Sequence, residues 1–242
     1  IVVPAYREAR NLPELARQIA ASMSRARLDY ELIIVDDDSP DDTRQTVEKL
    51  IEDGHPICLI IRKNQRDLST AVLAGFRRAK GSFLVCMDAD LSHPAALIPE
   101  LLEALTDDKV DLAVASRYIT GGRILRGCSW LMRINSFLAT LLARPFTKLK
   151  DPMSGFFAIH SSAFRQAAPL NPIGYKILLE LLVKCDIGDR IREIPFEFRP
   201  RAAGKSKLNC RQRIRFLWHL ARLAVFRIKN SGFLGSSGVL CK

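Results

Sequence analysis

The sequence predicts an α/β domain, a mostly parallel sheet flanked by helices, with a basic amphipathic helix near its C-terminal end. Three observations point there. Short apolar runs alternate with helical patterns four times in the first 115 residues, and strands joined by helices run parallel, with right-handed crossovers. Of the 242 residues 48% are hydrophobic, enough for a layered core in one large domain and against the composition of a disordered chain. The charge is also lopsided. From Arg199 to Lys242 there are eleven Lys and Arg and no acid, which equals the whole net charge of +11 and leaves the first 198 residues neutral.

Each element has a local warrant. Ile1–Val3 reads as a short buried strand. Asn11 stands as the cap of a helix to about Arg27, with Leu12, Leu15, Ile19 and Met23 on one face. Tyr30–Asp36 is a strand rich in Ile and Val, and Ser39-Pro40 opens a helix to about Glu52. Ile57–Ile61 is the third strand, followed by a helix from about Ser69 to Lys80. Ser82–Met87 is the fourth, Pro94 opens a helix through Leu105, and Val110–Ala115 is the fifth. Beyond this the pattern loosens. Trp130–Arg144 reads as an amphipathic helix, Phe156–His160 as a strand, Tyr175–Cys185 as a helix and Arg192–Phe198 as a strand. Arg211–Ile228 is a basic helix in which Ile214, Leu217, Leu220, Leu223 and Val225 alternate with Arg213, Arg215, Arg222 and Arg227. The expected organisation is a main domain over 1–210, an interface helix over 211–230 and a tail over 231–242.

No run of about 18–20 apolar residues spans a membrane. The chain begins at Ile1 without Met and ends on the small-residue apolar run Gly232–Cys241, which suggests a continuation beyond residue 242 that enters a membrane; a disordered end is the plain alternative. The six cysteines (Cys58, Cys86, Cys128, Cys185, Cys210, Cys241) form no CxxC pair or zinc spacing and read as free thiols of a reduced, cytosolic protein. A basic, acid-free tail attracts an anionic partner, either nucleic acid or the anionic face of a membrane.

Ligands of a parallel sheet bind outside the carboxyl ends of its strands. Those ends are Pro4-Ala5-Tyr6, Asp36-Asp37-Asp38, Asp88-Ala89-Asp90 and Ser116-Arg117-Tyr118, so one edge is dense with carboxylates and carries a guanidinium. Asp88 and Asp90, at i and i+2 after a buried strand, point the same way if the backbone stays extended. Their repulsion calls for a cation, and oxygen ligands suit Mg²⁺ or Mn²⁺ with substrate phosphates completing the shell. The plain alternative for Asp90 is opposition to the dipole of the next helix. Asp37 suits a ribose or base, and a solvated turn is its alternative. Arg117, Arg133, Arg201, Lys205 and Lys207 are candidate phosphate ligands, Arg117 above all because it stands at a strand end. Rival motifs fail. No GxGxxG follows a strand, Gly204-Lys205-Ser206 has Arg199 where a P-loop needs Gly, and there is no GxSxG or HExxH. His93, beside Pro94, reads as a turn residue rather than a general base.

Taken together these stretches resemble the family 2 glycosyltransferases of the Rossmann-like GT-A fold, and within them the polyprenyl-phosphate branch typified by dolichyl-phosphate mannose synthases. The resembling segments are Val2–Glu8 with Asn11-Leu12, Ile33–Thr43, Leu68–Gly75, Met87–Pro94, Ser116–Tyr118, Asp151–Phe156 and Gly204–Leu208. The resemblance implies that residues 1–210 form the glycosyltransferase domain. It implies that Pro4, Tyr6 and Glu8 line a nucleotide, with Val35 and Asp37 at the base and ribose. Asp88, Ala89 and Asp90 would meet the diphosphate, with Asp88, Asp90 and Ser92 around Mg²⁺ or Mn²⁺. Arg117 and Arg133 would hold the acceptor phosphate, giving Asp90, Arg117 and Arg133 the catalytic roles, and Arg117, Arg201 and Lys207 would contact the nucleotide sugar. This sequence departs from the pattern at Asp38, Asp42 and Asp67, the last standing where Gly is common before Leu68.

The implied reaction is inverting transfer of a sugar to a polyprenyl phosphate at the cytoplasmic face of a membrane, with GDP-mannose the first-choice donor and UDP-glucose or another UDP-sugar the next. Its nucleophile is already anionic, which accords with the poverty of bases here. A sugar-to-sugar transferase would need a carboxylate base, for which Glu180 could serve, and Gln212–Phe216 approximates QxxRW with Phe216 in place of Trp. A nucleic-acid module is disfavoured, since the tail lacks a stacking platform of aromatics and the acidic edge would repel phosphates.

Overall fold

In the computed structural model residues 1–125, 138–174, 176–185, 187–198 and 210–234 are described, with side chains of the last helix described from Arg215 to Lys229. The strands are β1 (Val2–Ala5), β2 (Leu32–Asp36), β3 (Ile57–Ile61), β4 (Phe83–Cys86), β5 (Leu112–Ser116), β6 (Arg123–Ile124), β7 (Phe157–His160), β8 (Ile191–Pro195) and β9 (Glu197–Phe198). Seven of them form one sheet in the order β3-β2-β1-β4-β7-β5-β8, and β6 pairs with β9 in a separate ribbon. Neighbours run parallel except at β7, which is antiparallel to both β4 and β5. Val85 and Ala113 both face Ala158 in register, so β7 is wedged into the middle of the sheet.

Alternation along each strand sends side chains to two cores. Leu32 and Ile34 of β2 join one core with α1 (Leu12–Ala26), α2 (Thr43–Glu52) and α4 (Ile98–Ala104). Ile33 and Val35 join the other with α3 (Leu68–Arg78), the helical stretch α5 (138–143), α6 (Ser161–Arg165), α7 (Ile177–Lys184) and α8 (Cys210–Leu234). The result is helix, sheet and helix in three layers, with both faces of the sheet covered.

Several expected boundaries move for physical reasons. Asn11 occupies the cap position of α1 but makes no side-chain cap bond; its Nδ2 donates instead to Glu8 Oε2 at 2.7 Å. The helix expected from Ser39-Pro40 begins at Thr43, because Ser39 is held in a turn by Asp36 and the Thr43 hydroxyl is bonded to Asp41 Oδ1 at 2.6 Å. The helix expected from Pro94 splits into a 3-10 turn (Ala95–Leu97) and α4, since Pro99 is tolerated only in a first helical turn. The single strand expected over Arg192–Phe198 divides into β8 and β9 at Pro195-Phe196, where Phe196 N donates to Ser116 O at 3.1 Å. Of the helix expected over 130–144, residues 138–144 lie among the described residues, and 138–143 are helical.

The C-terminal helix runs to Leu234, past the expected end at Ile228. Its apolar residues divide between two environments. Phe216, Leu220 and Leu223 are buried in the second core, whereas Leu217, Trp218, Val225 and Ile228 are exposed along with Arg215, Arg222, Arg227 and Lys229. His219 on its inner face lies beside a buried polar cluster of α7. Glu180 accepts from Lys184 Nζ at 2.6 Å and from Asn171 N at 2.8 Å, and lies 3.5 Å from His219 Nε2. Glu180, offered above as a base for a sugar hydroxyl, is thus engaged in the interior by Lys184 and Asn171. No described helix is long and apolar enough to cross a membrane.

Gly75 sets how closely α3 approaches the sheet. A Cβ there would lie 2.3 Å from Val2 Cγ1, and Val2 is stiff at χ1 and fully buried. Gly75→Ala is therefore expected to lower the unfolding free energy by about 1–3 kcal/mol, read by urea denaturation. Combining it with Val2→Ala should cost less than the sum of the two single losses, because the removed methyls relieve the clash.

Candidate active site

The carboxylates after β4 are placed by a bend. Met87 N still donates to Val2 O at 3.2 Å, but the chain then leaves the sheet, and Leu91 takes a left-handed φ of 62°. An extended run through Asp90 is therefore not what presents the pair. Two residues downstream of the bend, Ser92 and His93, hold it instead. Asp88 N donates to His93 Nδ1 at 3.0 Å, and Asp90 Oδ1 accepts from Ser92 N at 3.1 Å and from Ser92 Oγ at 2.5 Å. Ala89 turns into the core. His93 is buried and stacks on Phe156 with centroids 5.1 Å apart and planes 17° from parallel. Burial lowers its pKa below the ordinary imidazole value, against the opposing pull of Asp88 and Asp90. Accepting at Nδ1 places its proton on Nε2, 3.9 Å from Asp88 Oδ2. His93 is thus more than a turn residue: it is a neutral peg under the carboxylates.

Arg117 follows β5 and is locked. Its Nε and Nη2 donate to Asp151 at 2.7 and 2.8 Å, and its backbone N donates to the same carboxylate at 3.1 Å. Asp151 is fully buried, and the guanidinium also lies 5.3 Å from the ring centroids of Tyr118 and Phe198. Gly122 lets the chain after Arg117 fold back, since a Cβ there would meet Ser116 O at 2.5 Å. The turn that begins at Asp151 brings Gly155 to Asp88, where an added Cβ would lie 3.4 Å from Asp88 Oδ1. Sequence patterning found Arg117 but not its partner's role.

At the other end of the edge, Tyr6 lies beneath two guanidiniums, Arg66 at 4.5 Å and Arg7 at 5.4 Å from its ring centroid. Glu8 is held by Asn11, and its backbone N donates to Thr43 Oγ1 at 3.1 Å. Pro4 and Val35 are paired across β1 and β2, and the Val35 side chain is fully buried, leaving only its backbone to face a ligand at this edge. Asp37 is buried and tied down rather than set in a solvated turn. Arg62 meets its Oδ1 at 2.6–2.7 Å, and Asp67 N donates to its Oδ2 at 3.1 Å. Asp67, the departure noted before Leu68, is the N-cap of α3, accepting from Thr70 N at 3.1 Å. Arg62 and Asp67 are site-building residues that no motif disclosed.

The structure thus brings Tyr6, Asp37, Asp88, Asp90, Ser92 and Arg117 to one edge. Arg133, Arg201, Lys205 and Lys207 lie outside the described residues. Among the described residues no three His, Cys, Asp or Glu side chains cluster as a ready-made metal cage. Two carboxylates of all-oxygen character suit Mg²⁺ or Mn²⁺ whose shell is completed by phosphate and water. Replacing His93 by Phe would keep the stack and remove the Nδ1 acceptor. The stranded Asp88 N–H should then cost about 1–3 kcal/mol of stability by urea unfolding.

Comparison with known proteins gives the lineage. The family model described as Glycosyl transferase family 2 matches residues 1–167. A dolichol-phosphate mannosyltransferase of Saccharomyces cerevisiae is 41% identical over 234 residues, covering 94% of this chain and 87% of that protein. One from Pyrococcus furiosus is 38% identical over 248 residues, covering 99% and 69%. Among solved structures, mannosyl-3-phosphoglycerate synthase from Rubrobacter xylanophilus aligns with a TM-score of 0.67 at 17% identity over 99% of this chain and 77% of that one. Glucosyl-3-phosphoglycerate synthase from Mycobacterium tuberculosis, in complex with Mn²⁺, UDP-glucose and phosphoglyceric acid, gives 0.67 at 17% identity over 93% and 78%. The two solved structures share the fold; the matched family model and the close relatives place this chain in the family 2 glycosyl transferases.

Proposed function

We propose that this enzyme transfers mannose from GDP-mannose to a dolichyl-type polyprenyl phosphate, inverting the anomeric centre, with a divalent cation bound at Asp88 and Asp90. The observation that carries the reading is the identity of about two residues in five with dolichol-phosphate mannosyltransferases along nearly the whole chain. In the reaction an acceptor phosphate oxygen attacks the anomeric carbon, that carbon's bond to the diphosphate oxygen breaks, and GDP leaves. A bound Mg²⁺ or Mn²⁺ supplies charge neutralisation for the departing diphosphate. The protein's part is positioning. Tyr6, Glu8 and Asp37 line the nucleotide end, His93 and Ser92 hold the two carboxylates, and Arg117 faces the acceptor side. Arg133, Arg201 and Lys207 keep the phosphate roles that the resemblance assigns them. The phosphate nucleophile is anionic, so no general base is needed, which accords with a buried neutral His93 and an engaged Glu180.

A membrane surface is part of the proposal, at its cytoplasmic face. Leu138, Leu141 and Leu142 of α5 are exposed, as are Leu217, Trp218, Val225 and Ile228 of α8. The two helices meet where Arg227 donates to Pro145 O. Exposed apolar residues among Arg215, Arg222, Arg227 and Lys229 suit an anionic interface that brings the site to the lipid phosphate.

Transfer of labelled mannose from GDP-mannose to a polyprenyl phosphate tests the reading. Wild-type activity should vanish with chelator and return with Mg²⁺ or Mn²⁺, and Asp90→Ala should lower kcat by about 10²–10³-fold or more. Success with UDP-glucose alone would change the sugar and keep the site. Chelator-resistant transfer, or unchanged turnover in Asp90→Ala, would overturn the role of the carboxylates.

A further inference from the structure

Lys176 is absent from the motifs, yet it stands at the same edge. It occupies the N-cap position of α7, and its Nζ donates to Met153 O at 3.2 Å, in the middle of the turn that runs from Asp151 to Gly155. Burial, and then the nearby Arg117, push its ammonium down to about 8, while Asp151 and Asp88 pull it back up. Its placement is fixed from two sides. Gly174 N donates to Asp67 Oδ2 at 2.9 Å, and Asp67 N donates to Asp37 Oδ2, so the segment before Lys176 is anchored to the nucleotide end. Its side chain ends on the turn that carries Arg117's partner.

We infer that Lys176 supplies a positive charge that holds the acceptor's phosphate against the Asp88 side of the site, an inference that rests on the phosphate-acceptor reading above. The argument is one of charge and position. Arg117 spends Nε, Nη2 and its backbone N–H on Asp151, so that pair presents little net charge to an arriving anion. Lys176 adds a cation at that corner. Strand order gives the side: β5, which ends in Arg117, lies two strands from β4, about 10 Å across the sheet and away from the nucleotide end at β1 and β2. A donor diphosphate and an acceptor phosphate must sit on opposite sides of the sugar in an in-line displacement, and Lys176 lies on the acceptor's side with Arg117.

Steady-state kinetics on the full chain separate this role from that of a peg for the Met153 turn. Lys176→Met should raise the KM for a short-chain polyprenyl phosphate by about tenfold while leaving the KM for GDP-mannose within about twofold. Lys176→Arg should restore most of the acceptor affinity. Equal rises in both KM values, or wild-type kinetics in Lys176→Met, would overturn the assignment. If Lys176→Met fails to fold by circular dichroism, Lys176→Gln decides: a rise in the acceptor KM alone supports the inference, and wild-type kinetics overturn it. Wild-type enzyme that transfers to no polyprenyl phosphate would sink the functional reading itself, whereas active wild type with an indifferent Lys176→Met would sink only the lysine.

Discussion

Asp151 is fully buried and accepts three hydrogen bonds from a single residue, Arg117. A carboxylate in that position is tolerable only with its cation, and breaking such a pair costs about 3–5 kcal/mol because the survivor stays buried and uncompensated. The pair joins the end of β5 to the turn before β7, and β7 is the antiparallel strand wedged between β4 and β5. Once that turn is fixed, Gly155 lies against Asp88 and Met153 O receives Lys176. Glu193 of β8 secures the same turn from behind, accepting from Lys150 N and Asp151 N at 3.0 and 3.2 Å. The buried ion pair therefore fixes the turn that lies against Asp88, while Ser92 and His93 hold the carboxylates themselves.

A second buried pair does the same for the opposite end of the edge. Arg62 bridges Asp37, Thr70 and the Asp67 carbonyl, welding the end of β2 to the start of α3. Arg215 of α8 lies 3.9 Å from Asp67, and Arg222 donates to Asn171 O at 3.4 Å, so the last helix touches this network as well as the Glu180 cluster. Long, weak contacts of this kind contribute little singly. Their location matters more, since they link a helix with exposed apolar residues to the loops at the Asp37 end of the edge.

Much of the frame was legible in the chain. The first five strands, four of the helices and the strand-end residues Tyr6, Asp37, Asp88 and Arg117 follow from apolar periodicity and from the rule that ligands sit beyond strand carboxyl ends. Where boundaries failed, a local side chain had overridden pattern: Asp36 and Ser39 delayed α2, and Pro99 divided the helix after Pro94; the start of α1 held, though Asn11 binds Glu8 rather than its own helix. The reading of Asp37 as either ligand or solvated turn missed a buried ion pair, because Arg62 lies 25 residues away and carries no motif.

The sequence by itself determined which residues end the strands, where charge collects and that the first five strands run parallel, since these depend on neighbours within about one element. The tertiary structure alone decided that β7 enters the sheet backwards, that Asp151 neutralises Arg117, that His93 supports Asp88 and that Lys176 meets the turn at Met153. Each of these rests on a contact between groups far apart in the chain or on a bend that no periodicity encodes. A single sequence records which side chains are available for such contacts; only burial, by making an unpaired charge or N–H expensive, selects which of them meet.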